Sequence, residues 1–562
     1  MYTIGIDVGG TNTDGALLFG HDMLAVVKVP TDHEDLLGST RAALEQLLKS
    51  CPAGAEIELQ LSTTLTTNTI VEGKGTPTAA VVIPGPGLNL DQCGLDLPFH
   101  VLSGYVDHRG RVIADIKADQ AVDAALEAKR QGAEALAIVG KFSQRNPRLE
   151  TAAAQAIRGA GLEFSYITLG HEIAARLGFP RRVVTAYLNS QVAAAQERFI
   201  RAVQELEEFR TIRILKADGG TMTLAQSRQR PIETILSGPA ASVMAALALT
   251  RYTEHNVAVV DIGGTTTDLA VVVGGLPVYE RDGAVIAGYP TAVPAVYSRS
   301  IGLGGDSEVH LTVEEGRASF TLGPKRAGKP ACLGGAHVTP TDAISALRLA
   351  EVGNREQAVA ALQAFASPHG LSWQEAAQGI VDAFVHQLCQ AIHAVYDELE
   401  GRPVYTLAEF LEKPELMPQV IACLGTPAPA IMPAVGEKLG LPVEILPCSA
   451  SANAIGSAAA RPTTGITLHA DTALGQMSIP EMGLFKEIER PALFDQRRAR
   501  REALERLVEY ARQSGLDEVP ELDIVAEEAF NIVRGFRTVG RIFHIGAQIR
   551  PGARRIRVKE GT

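Results

Sequence analysis

Two apolar stretches of the chain are interrupted by polar residues in the same way. Residues 4–18 read IGIDVGGTNTDGALL, and residues 259–273 read VVDIGGTTTDLAVVV. In each stretch, apolar runs stand on both sides of a glycine pair, which predicts two strands joined by a tight turn. Asp7 aligns with Asp261, so the same hairpin is written twice in one chain.

Each predicted turn carries the groups that bind a polyphosphate. Glycine lets the backbone adopt positive φ and approach a ligand closely, and successive N–H groups in such a turn form an anion nest. An aspartate before each turn stands where it would hold a hydrated Mg²⁺. A single copy fits an ordinary glycine-rich hairpin equally well, but two copies predict two related domains with a polyphosphate clamped between them.

The predicted phosphate-binding residues are the glycines and polar residues of the two turns, namely Gly9, Gly10, Thr11, Asn12, Thr13, Gly263, Gly264, Thr265 and Thr266. Asp7 and Asp261 are predicted to be metal ligands and catalytic carboxylates. The chain has no G-x-x-x-x-G-K-[ST] motif, so a P-loop is not the phosphate-binding element.

A third element farther along the chain favours a nucleotide. The apolar run 420–424 ends at Gly425, residues 434–439 read as a helix, and residues 443–446 start another strand. A strand, glycine turn, helix and strand in this order suit an adenosine pocket, with Gly425 and Thr426 in the turn. The same pattern alone also fits an ordinary βαβ unit.

Three later segments predict elements without evident chemistry. Apolar residues recur at helical spacing over 376–399, which predicts a buried helix. Residues 497–513 predict a charged amphipathic helix with a solvent-exposed face, and a partner-binding face is the alternative. Alternating apolar positions over 536–558 predict C-terminal strands.

Composition narrows the class of protein. The 562 residues are too many for one core and predict three or more domains. The net charge of −12 argues against a general nucleic-acid or membrane-surface binder. We expect neither a secretory signal nor a membrane span. Six dispersed cysteines without a C-x-x-C motif indicate reduced thiols in a cytoplasmic protein.

Several segments together resemble the actin/Hsp70/sugar-kinase superfamily and, within it, the A-type subunit of the ATP-dependent hydantoinase/oxoprolinase family. The most discriminating are STTLTTN at 62–68 and LSGPAASV at 236–243, which general sugar kinases lack. Other similar segments are the two glycine hairpins, SIGLGGDS at 300–307 and CLGTPAPAIMPAVGEKLGLPV at 423–443. The resemblance implies a bilobal α/β fold of duplicated ribonuclease H-like domains, with ATP in the cleft.

The resemblance also implies an activity. Family members couple ATP hydrolysis to the opening of a cyclic amide, such as a hydantoin, 5-oxoproline or a lactam. Phosphorylation of the amide oxygen turns a poor electrophile into a reactive one, and water then attacks the ring carbon. ATP and Mg²⁺ are the implied cofactors, and a B-type hydantoinase subunit is the implied partner. A homo-oligomer is left open.

At the substrate end the chain departs from the family pattern. The residues that the resemblance adds to the site are the catalytic candidates Thr64 and Asn68 and the nucleotide-binding Gly304 and Gly305. Tyr297 and Arg299 stand where the family keeps an Asp and a His, and Asp306 replaces a glycine. We expect Arg299 and Asp306 to line the cleft beside the γ-phosphate. The alternative for Thr64 and Asn68 is that they only cap a turn or a helix.

We expect three parts of the chain: residues 1–180 with the first turn, residues 181–460 with the second turn and the adenosine unit, and a small C-terminal appendage at 461–562. Three functions are carried forward. The first is a subunit of an ATP-dependent cyclic-amide hydrolase, the second a small-molecule kinase of the same superfamily, and the third a non-catalytic nucleotide-binding regulatory protein. The family segments favour the first over the second, whereas the replaced Asp and His keep the third open.

Overall fold

The computed structural model describes residues 1–9, 12–32, 36–206, 208–315, 317–402, 415–516, 519 and 521–558. Within these ranges four sheets carry most of the fold. The first sheet has the order β12-β11-β4-β1-β2-β3. Its strands are β1 Tyr2–Val8, β2 Asn12–Phe19, β3 Asp22–Pro30, β4 Ile57–Thr63, β11 Thr211–Leu215 and β12 Thr221–Thr223.

The third sheet repeats this arrangement, with the order β15-β14-β13-β21-β22 and β18 beside β14. Its strands are β13 Val257–Ile262, β14 Thr267–Val273, β15 Leu276–Pro277, β18 Ser298–Ile301, β21 Val420–Leu424 and β22 Val443–Ile445. In both sheets an antiparallel hairpin comes first, and the leading strand then pairs in parallel with a later strand. The predicted α/β fold with duplicated halves is therefore confirmed.

A smaller second sheet lies within the first half of the chain, with the order β10-β9-β5-β6. Its strands are β5 Thr78–Ile83, β6 Phe99–Val101, β9 Ala135–Gly140 and β10 Ile167–Leu169. Three two-stranded ribbons accompany the sheets: β7 Tyr105–Val106 with β8 Val112–Ala114, β16 Val285–Ile286 with β17 Tyr289–Pro290, and β19 Ser307–Glu314 with β20 Arg317–Arg326.

The C-terminal sheet has the order β25-β24-β23-β27-β26. Its strands are β23 Gly465–Asp471, β24 Gln476–Ile479, β25 Leu484–Glu487, β26 Leu522–Arg534 and β27 Arg537–Ile549. Strand β27 forms within the alternating segment 536–558 that predicted C-terminal strands, and it ends at Ile549. Helix α14, Gln496–Gln513, packs the apolar residues Ala503 and Leu507 against this sheet, so the predicted amphipathic helix is present.

Helices cover the sheets. In the first half these are α1 Leu36–Leu48, α2 Leu65–Val71, α3 Ala118–Arg130, α4 Arg148–Gly159, α5 Gly170–Ile173, α6 Phe179–Gln204, α7 Leu224–Gln229 and α8 Ser237–Leu249. In the second half they are α9 Pro340–Ala346, α10 Arg355–Ala366, α11 Trp373–Glu400, α12 Ala428–Leu439 and α13 Ala452–Ala459. Helix α11 is the predicted buried helix, and α12 begins earlier than the pattern predicted, at Ala428.

Helices α8 and α13 lie between the two halves. Both are rich in alanine and pack into one core with apolar residues of the first and third sheets, which is expected for a helix that is apolar on every side. A Cβ at Gly456 of α13 would lie 2.1 Å from the Ala241 carbonyl oxygen of α8, and one at Gly5 of β1 would lie 2.1 Å from that of Ala454. These glycines allow the backbones to touch and bring the two hairpins together.

The predicted boundaries near residues 180 and 460 stay predictions, although the first sheet does take β11 and β12 from beyond residue 180. No helix in the described ranges is long and apolar enough to cross a membrane. The six cysteines are free thiols, three of them buried.

Candidate functional site

The two glycine turns close in the same way. Gly9 N–H donates to the Asn12 carbonyl oxygen at 3.1 Å, and Gly263 N–H donates to that of Thr266 at 2.9 Å. Gly10 and Thr11, which were predicted to bind phosphate, lie outside the described residues. Equal closure of both hairpins supports their origin as two copies of one element.

The side chains of the turns differ in exposure. Thr265 and Thr266 are exposed, and Asn12 is partly exposed, so their polar groups are available to a ligand. Thr13 is fully buried and its hydroxyl lies 3.0 Å from that of Thr31. Any contact between Thr13 and a nucleotide would therefore come through its backbone.

Asp7 lies in the buried part of the first hairpin, next to buried Val8. It is only 9% exposed, and it lies opposite Asp14 on the neighbouring strand. Burial raises the pKa of Asp7 to about 7, against the hydrogen bond from Ser62, while Asp14 and Asp261 raise it further. The charge of Asp261, on the second hairpin, is thus one of the lesser causes of the raised pKa of Asp7.

Asp14 is balanced by a cation. Lys28 Nζ lies 3.1 Å from Asp14 Oδ1 and donates to the Ala450 carbonyl oxygen at 2.8 Å. Ser451 Oγ donates to Asp14 Oδ1 at 2.9 Å. Burial still raises the pKa of Asp14, although Lys28 and Ser451 oppose this shift. The first hairpin is thus tied to the segment that precedes α13.

The second hairpin carries the matching pair, Asp261 and Asp268. Asp261 Oδ2 accepts hydrogen bonds from Ser242 Oγ at 2.6 Å and from Asn453 Nδ2 at 3.0 Å. Burial raises the pKa of Asp268 to about 7, Asp261 adds to the shift, and a hydrogen bond from Ser300 opposes it. The two donors to Asp261 come from α8 and α13, the helices between the halves.

The arrangement fits a divalent cation in the cleft. Each hairpin contributes a cross-strand pair of aspartates, and burial keeps Asp7 and Asp268 protonated up to about neutral pH unless a cation stabilises their charge. Among the described residues no three or more His, Cys, Asp or Glu side chains form a complete metal cage. Mg²⁺ typically uses one or two carboxylates together with phosphate oxygens and water, which matches a pair such as Asp7 and Asp261.

Residues 304–306 are hydrogen-bonded to the second turn. Gly305 N–H and Asp306 N–H donate to the carbonyl oxygens of Gly263 and Gly264 at 3.0 and 2.7 Å. A Cβ at Gly304 would lie 2.5 Å from the Gly264 carbonyl oxygen, so only glycine fits there. Gly304, Gly305 and Asp306, all predicted site residues, therefore lie at the second turn, and Asp306 is paired with Arg326 at 2.8 Å.

The predicted adenosine unit reaches the same turn. Gly425 has φ of +93°, and a Cβ there would lie 2.1 Å from the Ile262 carbonyl oxygen. Thr426 is exposed at the start of α12, and Pro427 lies against Gly305. The structure thus brings Gly425 and Thr426 together with the second turn.

Thr64 and Asn68 lie beside the first turn. Thr63 at the end of β4 pairs with Val8 at the end of β1, and α2 starts immediately afterwards. Thr64 precedes α2 without a side-chain capping hydrogen bond, whereas exposed Asn68 donates through Nδ2 to Thr64 Oγ1 at 3.3 Å. Helix capping therefore does not explain Thr64.

Arg299 is held by carboxylates. Its Nη1 donates to Glu280 at 2.6 Å, and its Nε and Nη2 donate to Glu398. Burial alone lowers the pKa of Arg299, but the hydrogen bonds to Glu398 and Glu280 outweigh it and raise the value. The guanidinium also stacks on buried Tyr297, 4.3 Å from its ring centroid. The positive charge of Arg299 is therefore already paired with two carboxylates.

Arg299 lines a cavity of about 240 Å³ together with Arg181, Leu236, Glu280 and Glu398. Leu236 connects this cavity to helix α2, which carries Asn68, since its N–H donates to Thr67 Oγ1 at 3.0 Å.

Sequence reasoning did not assign four residues that hold the aspartates: Lys28, Ser242, Ser451 and Asn453. Ser242 lies within LSGPAASV, a segment already singled out as discriminating, so a signal existed for it. Lys28, Ser451 and Asn453 reach the site only through the packing of β3 and α13, and no motif marks them.

Comparisons with known proteins agree with this architecture. The family model Hydantoinase/oxoprolinase matches residues 181–465, and the model of the Hydantoinase/oxoprolinase N-terminal region matches residues 3–161. The chain is 29% identical over 427 residues to the caprolactamase subunit alpha of Pseudomonas jessenii, covering 68% of this chain and 61% of that protein. It is 24% identical over 437 residues to the acetone carboxylase beta subunit of Xanthobacter autotrophicus, covering 68% and 60%.

Two solved structures share the fold. The ATP-dependent caprolactamase from Pseudomonas jessenii superimposes with a TM-score of 0.72 at 20% identity, covering 99% of this chain and 88% of that chain. Nucleotide-free acetone carboxylase superimposes with a TM-score of 0.70 at 19% identity, covering 97% and 87%. At these identities the likeness shows the fold alone. The matched region spans only about 60% of the length of the two curated relatives.

Proposed function

The chain belongs to the hydantoinase/oxoprolinase family, and we propose that it is the ATP-binding subunit of an enzyme that opens a cyclic amide. The observation that carries the proposal is the pair of matching glycine hairpins, each with its cross-strand pair of aspartates, Asp7 with Asp14 and Asp261 with Asp268. Phosphoryl transfer needs little covalent chemistry from the protein and depends on positioning and charge neutralisation. Two anion nests with their aspartates supply both.

In this proposal the two turns bind the phosphates of ATP. Backbone N–H groups of the turns, with Thr265 and Thr266, donate to phosphate oxygens. Asp7 and Asp261 hold Mg²⁺, and neutralisation of the charge on the transferred phosphoryl group is the chemistry that this ion supplies when bound. Gly425 and Thr426 lie where the adenosine would follow, because they adjoin the second turn.

The small cavity beside Arg299 is the proposed amide site. Its volume is about 240 Å³, and its lining includes the polar side chains of Arg181, Glu280 and Glu398. The γ-phosphoryl group forms an O–P bond with the amide oxygen while its bond to ADP breaks. Water then adds to the ring carbon, and the C–N bond breaks to leave an acyl phosphate and a free amine. A second water cleaves the acyl phosphate into a carboxylate and inorganic phosphate. Thr64 and Asn68, beside the first turn, are the proposed positioning residues for the first step.

We propose that the second step needs a partner. Arg299 donates to Glu280, Glu398 and the Ser298 carbonyl oxygen, and an arginine does not act as a general base at neutral pH. Two of the matched relatives are subunits by name, the caprolactamase subunit alpha and the acetone carboxylase beta subunit. A B-type hydantoinase subunit is therefore the proposed source of the hydrolytic groups, and the isolated chain is expected to be a poor amidase.

Nucleotide binding is tested by thermal denaturation with Mg·ATP. At a ligand concentration of about 100 Kd, native protein should gain roughly 2.7 kcal/mol of unfolding free energy. Asp7→Ala and Asp261→Ala should each lose most of this gain, while the exposed control Asp123→Ala keeps it. A melting curve that does not respond to Mg·ATP over a wide concentration range would rule out the proposal.

Amide opening is tested separately with a panel of hydantoins, 5-oxoproline and lactams. ATP-dependent ring opening is expected with a co-purified B-type partner and not with this chain alone. A stable phosphorylated product would instead identify a small-molecule kinase. Efficient ring opening by the isolated chain would contradict the assignment of hydrolysis to a partner.

A further inference from the structure

A second cavity, of about 370 Å³, shares no lining residue with the two turns. One wall consists of Arg109 and residues 145–148, and the other consists of residues of β23, β24 and β25. Arg109 joins the walls, since its Nε and Nη2 donate to Asp471 at 2.7 and 2.8 Å and both side chains are buried. We call this cavity the Arg145 pocket. A buried ion pair therefore holds its walls in place.

The C-terminal sheet contributes two polar side chains without partners. His469 on β23 and Ser478 on β24 are directly opposite each other in the ladder, and both line the pocket. His469 is 7% exposed and Ser478 4% exposed. Among the described residues, neither ring nitrogen of His469 forms a hydrogen bond, and the Ser478 hydroxyl forms none either. Buried polar groups are nearly always hydrogen-bonded, so this pair indicates a ligand that completes them.

Arg145 supplies a positive charge without an ion pair of its own in the described ranges, although Asp471 and Asp107 raise its pKa against the effect of burial. Of the other cations that line the pocket, Arg109 pairs with Asp471, Arg148 with Asp115 and Lys486 with Glu502. Half-buried Arg145 forms no ion pair within the described ranges, and burial lowers its pKa. The remaining lining carboxylate, Glu487, is exposed to solvent.

The protonation of His469 follows from its surroundings. Burial lowers the pKa of His469 to about 3, and the neighbouring Arg145 and His544 lower it further, against a smaller effect of Asp471. The imidazole is therefore neutral at physiological pH and offers one N–H donor. The pocket thus has two neutral hydrogen-bond donors, the His469 N–H and the Ser478 hydroxyl, and one cationic donor, the Arg145 guanidinium.

We propose that the Arg145 pocket binds a small organic anion, a carboxylate or phosphate on a short apolar body, through Arg145, His469 and Ser478. A guanidinium with neutral donors is the usual way in which proteins hold an oxyanion. Met477, Phe485 and Pro147 also line the pocket and supply an apolar surface for the body of the ligand. The volume falls within the range of about 300–1,000 Å³ that is common for small-molecule sites. This site does not depend on the function proposed for the cleft.

Isothermal titration calorimetry with four probes tests the proposal: hexanoate, hexyl phosphate, inorganic phosphate and the neutral analogue hexanamide. Hexanoate or hexyl phosphate should bind, and whichever binds more tightly identifies the oxyanion as carboxylate or phosphate. Arg145→Gln should weaken this binding by about 10- to 100-fold, and Ser478→Ala by a smaller factor. Arg130→Gln, which replaces an exposed arginine of α3, is the matched control and should bind as the native protein does.

Stability measurements keep these outcomes interpretable. Ser478→Ala removes a group that makes no hydrogen bond, so its melting temperature without ligand should match that of the native protein. Stabilisation by Mg·ATP should persist in Arg145→Gln, which separates this site from the cleft. The proposal is overturned if no organic anion binds, if hexanamide or inorganic phosphate binds as tightly, or if both variants bind like the native protein.

Discussion

The two glycine hairpins have the same closure and the same cross-strand pair of aspartates, but their carboxylates are held differently. In the first hairpin Asp14 lies against Lys28, so a cation offsets its charge. In the second hairpin Asp261 receives hydrogen bonds from the neutral Ser242 and Asn453, and no cation pairs with it in the described ranges. Duplication preserved the backbone, whereas the neighbouring elements determined the electrostatics.

This difference gives each hairpin one well-supported and one poorly supported carboxylate. The poorly supported ones are Asp7 in the first and Asp268 in the second, each with a pKa raised to about 7 by burial. They occupy opposite strands of their hairpins, because Asp7 precedes its turn and Asp268 follows its turn. A cation in the cleft would stabilise both, so metal binding and proton release should be coupled.

The largest expected effect concerns the support behind the second turn. Gly304→Ala places a Cβ 2.5 Å from the Gly264 carbonyl oxygen, and we expect the free energy of unfolding to fall by about 3 kcal/mol. Hydrogen exchange should speed up in β13 and β14 more than in β1 and β2. Gly159→Ala, at an open helix end, is the control and should change little. An equal increase in hydrogen exchange in both hairpins would show that the stability of the first depends on the second.

An intermediate effect is expected from pH, in metal-free protein without nucleotide. Asp7 and Asp268 bind a proton more tightly in the folded state, so each stabilises the fold below about pH 4, and this stability is lost as pH rises towards 7. Between pH 5 and pH 8, Asp7→Asn and Asp268→Asn should each lose about 2 kcal/mol less free energy of unfolding than the native protein loses. This difference is the stability that each substitution recovers.

Denaturant unfolding at both pH values measures this recovery. Asp123→Asn, at an exposed position of α3, is the control and should show no such recovery. If Asp268→Asn behaved like the control, then the second hairpin would not share the buried-acid character of the first.

The smallest effect compares the two kinds of support directly. Lys28→Met removes the partner of Asp14, and Ser242→Ala removes a donor to Asp261; each should cost about 1 kcal/mol. High salt should reduce the loss in Lys28→Met and leave that in Ser242→Ala unchanged, since screening acts on the half-exposed ion pair. Equal salt dependence in urea-unfolding experiments would contradict the division between ionic and neutral support.

Much of the fold was predictable because it depends on local patterns. Apolar runs around glycine pairs predicted β1–β2 and β13–β14, and helical spacing predicted α11. The extent of each unit was less predictable. Strands β11 and β12 belong to the first sheet although they lie far along the chain from β4. Parallel pairing of β11 with β4 brings β11 there, and β12 follows through its antiparallel pairing with β11.

The candidate site was predictable where a residue's role follows from its own turn. Gly304, Gly305 and Gly425 adjoin the second turn because their missing side chains allow backbones to touch, while their predicted nucleotide binding stays a prediction. Arg299 is different: the family resemblance predicted that it lines the cleft beside the γ-phosphate, which stays a prediction, and its pairing with Glu280 and Glu398 from distant segments was not predicted. A single sequence without pairing information does not reveal which carboxylate will reach a given arginine.

The sequence by itself determined the repeated hairpin, the α/β class and the positions of the two leading aspartates, since strand alternation and glycine turns are short-range properties. Only the tertiary structure decided that Asp261 contributes to the raised pKa of Asp7, that Lys28 balances one hairpin, and that Ser242 and Asn453 support the other. The physical reason is that burial and charge pairing depend on which elements pack together. Here the close contact of α8 and α13 sets that packing, and with it the electrostatics of the cleft.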